Sequence, residues 1–366
     1  MALDIAHIEL QDGTTFSGEA FGAPRPIAGE VVFNTGMVGY VEALTDPSYR
    51  GQILVLTYPL VGNYGVPAEG ADEHGLPRNF ESERIQVAGL VVSRLSHYHS
   101  HHDAVRSLHE WLDSQDVPGV TGVDTRTLTK RLRARGVMPG RIVHDGETVA
   151  FEDPNARDLA AEVSCKEPIT YNASAGPRVV VVDAGVKTSI LRAAIARSLE
   201  VVRLPYCDDP LGVEPAGVLI ANGPGNPASY RRTAANVRGV LEAGVPTMGV
   251  CLGCQMLSLA AGGKTFKLPY GHRSQNQPAL ELGTGRCHIT AQNHGYAVDP
   301  QSLPPDWEVS FVNANDGTCE GVRRKDGAAF AVQFHPEAGP GPGDARELFD
   351  RFEAMVRGKG GGRRAP

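Results

Sequence analysis

The sequence predicts an α/β protein: a mixed α/β N-terminal domain followed by a doubly wound, mainly parallel-sheet domain. Three observations carry this expectation. At 366 residues the chain is longer than one compact core usually serves. Beyond residue 178, short and wholly apolar runs alternate with segments of helical spacing, the pattern of parallel strands buried on both faces. Between the halves, residues 151–177 lose periodicity and collect Pro154, Pro168, Gly176 and Pro177, which reads as a linker with room for one short helix.

Within residues 1–150, the stretch 6–17 reads as two short strands around Asp12-Gly13, a dipeptide that supplies the positive φ of a tight hairpin. Residues 52–57 and 87–93 are strand-like apolar runs, and 103–114 and 125–135 show helical spacing after polar starts. In the second domain, 178–182, 217–220 and 246–250 read as strands, with helices over 189–199 and 230–243. This domain ends near residue 357, and 358–366, rich in glycine and arginine, read as a disordered tail.

Apolar residues at 41% and charged residues at 21% describe an ordinary globular protein, and no apolar run is long enough to span a bilayer. The first ten residues lack the basic flank and long apolar stretch of a secretion signal, which makes the cytoplasm the default location. A net charge of −7 gives no footprint for nucleic acid. The six cysteines are scattered, which favours thiols over disulfides.

The chemistry concentrates in the second half. In Thr247-Met248-Gly249-Val250-Cys251-Leu252-Gly253-Cys254-Gln255 an apolar strand runs into small residues around a cysteine and then into a helical run. Such a strand-to-helix turn presents the side chain at its apex at the carboxyl edge of a parallel sheet, where active sites of open α/β folds form. Gly249 and Gly253 relieve crowding there, and the helix start that follows favours a thiolate and offers N–H groups to an oxyanion. A rival reading takes Cys251 and Cys254 as a redox or metal pair, but no second pair follows at zinc-finger spacing.

A nucleophilic thiol needs a base. His335 closes the strand-like run Phe330-Ala331-Val332-Gln333-Phe334 and is followed by Pro336 and Glu337, so Glu337 is placed to hold the imidazole tautomer. His294, in the polar stretch Gln292-Asn293-His294-Gly295-Tyr296, is a competing base, and that stretch reads either as a binding turn or as a connector. Asn222-Gly223-Pro224-Gly225 follows another strand, and its glycines let backbone N–H groups approach a substrate closely. The histidines between 97 and 102 read as a solvated loop, and no metal site is assigned. Neither a GxxxxGK[ST] nor a GxGxxG phosphate loop occurs, so any ATP chemistry lies elsewhere.

The motifs at Cys251, at 222–225 and at His335-Pro336-Glu337 resemble those of the class I, triad-type glutamine amidotransferases. The resemblance implies that Cys251 attacks the glutamine carboxamide, His335 protonates the departing ammonia and Glu337 orients His335. In the first half, Gly29-Glu30-Val31-Val32-Phe33-Asn34-Thr35-Gly36-Met37-Val38-Gly39-Tyr40 and Leu44-Thr45-Asp46-Pro47-Ser48-Tyr49 look like the small subunit of carbamoyl-phosphate synthase. So do Thr57-Tyr58-Pro59, Gly62-Asn63-Tyr64-Gly65 and Asp124-Thr125-Arg126-Thr127-Leu128-Thr129. That resemblance spans about residues 8–352 and implies glutamine contacts at Ser48, Gly223, Gly225, Leu252, Gln255, Asn293, Gly295 and Tyr296. It further implies no cofactor in this chain, an ammonia tunnel, and a large-subunit partner that uses ATP and Mg to make carbamoyl phosphate. Cys254 stands where many relatives carry histidine. The competing readings are an amidotransferase for another acceptor, a catalytically idle assembly partner and a thiol oxidoreductase.

Overall fold

The computed structural model of the chain describes residues 4–144 and 146–360. They form two units, divided between Leu159 and Ala160. The first contains strands β1 (Ile5–Leu10), β2 (Thr15–Gly22) and β3 (Ile27–Asn34), helix α1 (Tyr40–Thr45), then β4 (Gln52–Leu56), β5 (Val66–Pro67), β6 (Gly89–Val92) and β7 (Ala104–Arg106). Helix α2 (Leu108–Ser114), β8 (Pro118–Thr121), α3 (Thr125–Arg135) and β9 (Met138–His144) complete it.

Asp12-Gly13 makes the expected hairpin: Gly13 adopts φ 85°, the Thr14 N–H donates to Asp12 Oδ1 at 3.0 Å, and Glu9 comes opposite Thr15. Seven strands then close a barrel in the order β1-β2-β8-β6-β4-β3-β9. Val32, Leu54, Leu56, Leu90 and Val92 pack with Trp111 and Leu112 of α2, while the alternate residues Val31, Ile53, Val55 and Val91 are equally buried. These strands are apolar on both faces, which is why they lack a two-residue rhythm. The helix expected over 103–114 starts late. Ser107 and Glu110 form a reciprocal capping box that fixes the first turn at Leu108, and the residues before it are drawn into the β5–β7 ribbon.

The second unit contains α4 (Leu159–Val163, at the division), β10 (Ile169–Tyr171), β11 (Arg178–Asp183), α5 (Thr188–Ile195), β12 (Glu200–Pro205) and β13 (Gly217–Ile220). It continues with α6 (Arg231–Glu242), β14 (Thr247–Val250), α7 (Leu252–Ala261), β15 (Lys264–Glu281) and β16 (Cys287–Asp299), followed by β17 (Trp307–Asn313), β18 (Cys319–Arg324), β19 (Ala329–Val332) and α8 (Glu347–Gly360). Its ten-stranded sheet runs β10-β12-β11-β13-β14-β19-β18-β17-β15-β16. The strands β12, β11, β13, β14 and β19 are mutually parallel; the others join antiparallel. Val237 and Val240 of α6 and Cys254 and Leu257 of α7 share one core with Val180, Val218 and Ile220. On the opposite face α8 lies so close that a Cβ on Gly217 would strike Val356. No helix among the described residues is long and apolar enough to cross a membrane.

Four stretches differ from the sequence expectation. Residues 151–177 are not a free linker, because β10 pairs antiparallel with β12 and completes the sheet edge. The helix expected over 189–199 stops at Ile195, since Ser198 takes a left-handed φ of 52° that redirects the chain into β12. The polar stretch 292–296 is strand, part of β16, rather than a turn. Residues 358–360, expected in a disordered tail, belong to α8, because packing of Phe349, Phe352 and Val356 carries the helix through Gly360; the rest of that expected tail, 361–366, lies outside the described residues.

Close helix–sheet contact sets a test of this packing. A Cβ on Gly253 would collide with the Ile220 carbonyl, whereas one on Gly262, at the end of α7, meets nothing. Gly253→Ala is expected to lower stability by about 3 kcal/mol, against about 1 kcal/mol for Gly262→Ala at φ 104°, measured by denaturant unfolding.

Candidate active site

The site grows from the junction of β14 and α7. β14 is paired in parallel with β13 and β19, and the chain turns sharply at Cys251, whose φ of 55° and ψ of −107° are unusual for a residue with a side chain. Such strain persists only where surroundings enforce it. Here the Cys251 N–H donates to Val332 O at 2.9 Å, extending the β14–β19 ladder by one rung. Gly249 and Gly253 make the turn possible through space rather than φ: a Cβ on Gly249 would stand 2.5 Å from the Gly253 carbonyl oxygen. Cys251 is buried, and no side chain caps α7; the Cys254 N–H donates to Cys251 O at 2.9 Å, leaving the amides of Leu252 and Gly253 for another acceptor.

β19 then delivers the base. The His335 N–H donates to Ala291 O at 2.9 Å, which ties the residue to β16, and its Nδ1 meets Glu337 Oε1 at 2.6 Å. Both side chains are nearly inaccessible. Nε2, the opposite ring nitrogen, is buried without a hydrogen-bond partner. Lys187 completes the group: its Nζ donates to Glu337 Oε1 at 3.0 Å and to Ala338 O at 2.8 Å. Burial alone would raise the Glu337 carboxyl, but Lys187 and His335 hold it below its ordinary value. Burial would likewise depress the imidazole, yet the Glu337 carboxylate outweighs it and His335 is raised.

The other predicted positions divide. Gly223 lies so close to the Ala184 carbonyl and to Leu252 that no Cβ fits, which brings the 222–225 turn against the start of α7, and Gly225 has φ 83°. Gln255 Nε2 donates to Tyr296 O at 2.8 Å, and the Cys251 thiol lies 3.6 Å from Asn293 O, so β16 passes directly over the nucleophile. Gly295 sits between Asn293 and Tyr296 on that strand. Ser48 belongs to the first unit, in the short turn Pro47–Tyr49, with its N–H bound to Asp46 Oδ1 at 2.9 Å.

His294 does not serve as the competing base. Burial, aided by His272 and Arg273, depresses its pKa and favours the neutral ring, whose single proton either Nδ1 gives to Tyr296 O at 2.9 Å or Nε2 gives to Gln292 Oε1 at 3.1 Å; neither nitrogen is open toward a substrate. Cys254 points into the apolar core with Leu257 and Val322, and burial pushes its thiol well up, which removes the reactivity a redox partner needs. The described cysteines are all free thiols.

Residues 8–142 match the family model of the carbamoyl-phosphate synthase small chain, CPSase domain, and residues 180–355 match that of class I glutamine amidotransferases. The carbamoyl phosphate synthase arginine-specific small chain of Aspergillus fumigatus is 49% identical over 363 residues, which cover 96% of this chain and 80% of that one. The chain belongs to the carbamoyl-phosphate synthase small-chain family. Multifunctional protein CAD of Squalus acanthias is 48% identical, and the mitochondrial carbamoyl-phosphate synthase (ammonia) of Aquarana catesbeiana 47%, each over 360 residues. These alignments cover 96% and 97% of this chain, which spans only 16% and 24% of the two longer relatives.

Sequence reasoning missed Lys187 in this small-chain family member. The lysine interrupts the apolar run Val179-Val180-Val181-Val182 only after Asp183-Ala184-Gly185-Val186, at the carboxyl end of β11. That is the same sheet edge as Cys251, and a cation there was the available signal. Its backbone N–H also donates to Asn222 Oδ1 at 3.0 Å, tying the ends of β11 and β13 together. Lys187→Met removes one of the two cations that hold the buried Glu337 carboxylate and is expected to lower stability by about 3 kcal/mol, read by denaturant unfolding. His335 provides a second test. Because its folded pKa is raised, its stabilising contribution is complete below its ordinary 6.5 and is lost as pH rises through the folded value. Wild-type melting temperature should therefore fall over that alkaline range by more than that of His335→Gln.

Proposed function

We propose that the chain is the glutaminase subunit of a carbamoyl-phosphate synthase, hydrolysing L-glutamine to glutamate and ammonia at Cys251. The observation that carries the reading is the placement of a buried thiol at a strained strand-to-helix turn, with the His335–Glu337 pair at the end of the adjacent parallel strand. The Cys251 thiolate attacks the side-chain carboxamide carbon of glutamine. Backbone amides at Leu252 and in the 223–225 turn take the oxyanion. Imidazolium Nε2 of His335 gives its proton to the amide nitrogen, the C–N bond breaks, and ammonia leaves a glutamyl thioester. Water then attacks the thioester as His335 takes its proton; the C–S bond breaks and glutamate leaves. Glu337, held ionised by Lys187, keeps the imidazole in the tautomer both half-reactions need.

On this reading Ser48, Gln255, Asn293, Gly295 and Tyr296 contact the glutamine. The ammonia passes through a tunnel to a large-subunit partner, which holds the ATP and Mg and makes carbamoyl phosphate from bicarbonate for arginine and pyrimidine biosynthesis in the cytoplasm. Support comes from the match of both units to the small-chain and amidotransferase families. Cys251→Ser and His335→Asn should each abolish glutamine-dependent synthesis by the two-subunit complex while sparing ammonia-dependent synthesis, and Cys254→Ser should keep most of both. Normal glutamine hydrolysis by Cys251→Ser would overturn the mechanism, and equal losses at both cysteines would favour a thiol pair instead.

A further inference from the structure

Gln333, two residues before His335, has a side chain with no exposure and no assigned task. Its Nε2 lies 3.8 Å from Cys251 Sγ, within reach of an N–H···S hydrogen bond, and its Oε1 accepts from Gln255 Nε2 at 3.1 Å. Which end of the amide faces the sulfur is fixed by the surroundings. The Tyr296 carbonyl can only accept, so Gln255 must turn its nitrogen toward it. The second hydrogen on that nitrogen then meets Gln333, which must answer with its oxygen. The Gln333 nitrogen is left facing Cys251.

The sulfur needs such a donor. On another side it meets the Asn293 carbonyl oxygen at 3.6 Å, which accepts from the thiol but repels the thiolate. A buried thiolate beside a carbonyl is unfavourable unless N–H groups and a cation compensate it. His335 supplies the cation, and the amide supplies the N–H. We propose that Gln333 is a positioning residue that stabilises the Cys251 thiolate through its side-chain amide, itself oriented from the glutamine-binding strand through Gln255 and Tyr296. The inference rests on Cys251 being the nucleophile. It makes the reactivity of the thiol depend on the seating of Tyr296: displacement of that carbonyl frees Gln255, and the amide facing the sulfur loses its orientation.

The test measures the rate at which iodoacetamide alkylates Cys251 in the full chain, followed by peptide mass spectrometry, with the exposed Cys287 as internal reference. In Gln333→Met the Cys251 rate at neutral pH should fall roughly tenfold and recover at alkaline pH, with Cys287 unchanged. Gln333→Glu, which keeps the acceptor for Gln255 but sets a carboxyl against the sulfur, should fall further. In both, kcat for glutamine hydrolysis should drop while KM stays near its wild-type value. A wild-type neutral-pH rate in Gln333→Met overturns the inference. The failures are separable: an inactive Cys251→Ser together with a wild-type Gln333→Met sinks only the role of Gln333, whereas an active Cys251→Ser sinks the nucleophile itself. Should neither Gln333 variant fold, the wild-type chain decides, labelled with nitrogen isotope in its glutamine side chains. One side-chain amide resonance must then move with the titration of the thiol and stay still in Cys251→Ser; if none does, the inference fails.

Discussion

A single backbone hydrogen bond, from Cys251 N–H to Val332 O, ties the site together. It is the last rung between β14 and β19, made just where β14 ends and the chain turns into α7. By fixing the nucleophile's backbone to the strand beside it, it sets the distance from Cys251 to everything that strand delivers next: Gln333 at once, His335 two residues later, and Glu337 after that. The unfavourable φ of Cys251 is maintained because neighbouring packing leaves the turn no room to relax; Gly249 and Gly253 admit no Cβ on either side of it.

A buried charge sequence stands on this frame. Lys187, Glu337 and His335 come from the ends of β11 and of β19, and none has appreciable exposure. Isolated charges would be expelled or neutralised at such depth. In sequence, each makes its neighbour's charge tenable: the lysine keeps the carboxylate ionised, and the carboxylate keeps the imidazole cationic against burial. A proton donor is thus held ready at Nε2 among side chains of very low exposure, where electrostatic interactions are strongest.

The antiparallel half of the sheet has a separate role. β15 and β16 form a long ribbon with register shifts after Lys267 and Ser274, and β16 comes back to the parallel core through the Ala291–His335 bridge. That return lays Asn293 and Tyr296 over Cys251. Within the ribbon, His272 of β15 sits between Asp316 at 2.9 Å and Glu320 at 3.3 Å, and these carboxylates keep its pKa raised although burial opposes it. Its ring meets that of His294, its cross-strand partner on β16, edge-on at 5.0 Å.

By itself the sequence determined whatever is written in local pattern. The wholly apolar strands from Arg178 onward, the small residues around Cys251, the strand that leads to His335, although it ends at Val332, and the Asp12-Gly13 hairpin all follow from steric and solvation rules acting within a few residues, and so were legible. The glutamine contacts proposed for Ser48, Asn293 and Tyr296 rest on motif resemblance, because nothing local distinguishes these residues. Only the tertiary structure decided the rest. The closure of seven strands into a barrel, the capture of β10 by the sheet edge and the return of β16 depend on pairings between distant segments, which no local period encodes. The same holds for the choice between His335 and His294: both are histidines near glycine or proline, and only the third dimension shows that one ring pairs with a carboxylate and leaves Nε2 open while the other is enclosed by Gln292 and Tyr296. Lys187 and Gln333 acquire meaning in the same way, through partners about 150 and 80 positions distant that the fold brings within hydrogen-bonding range.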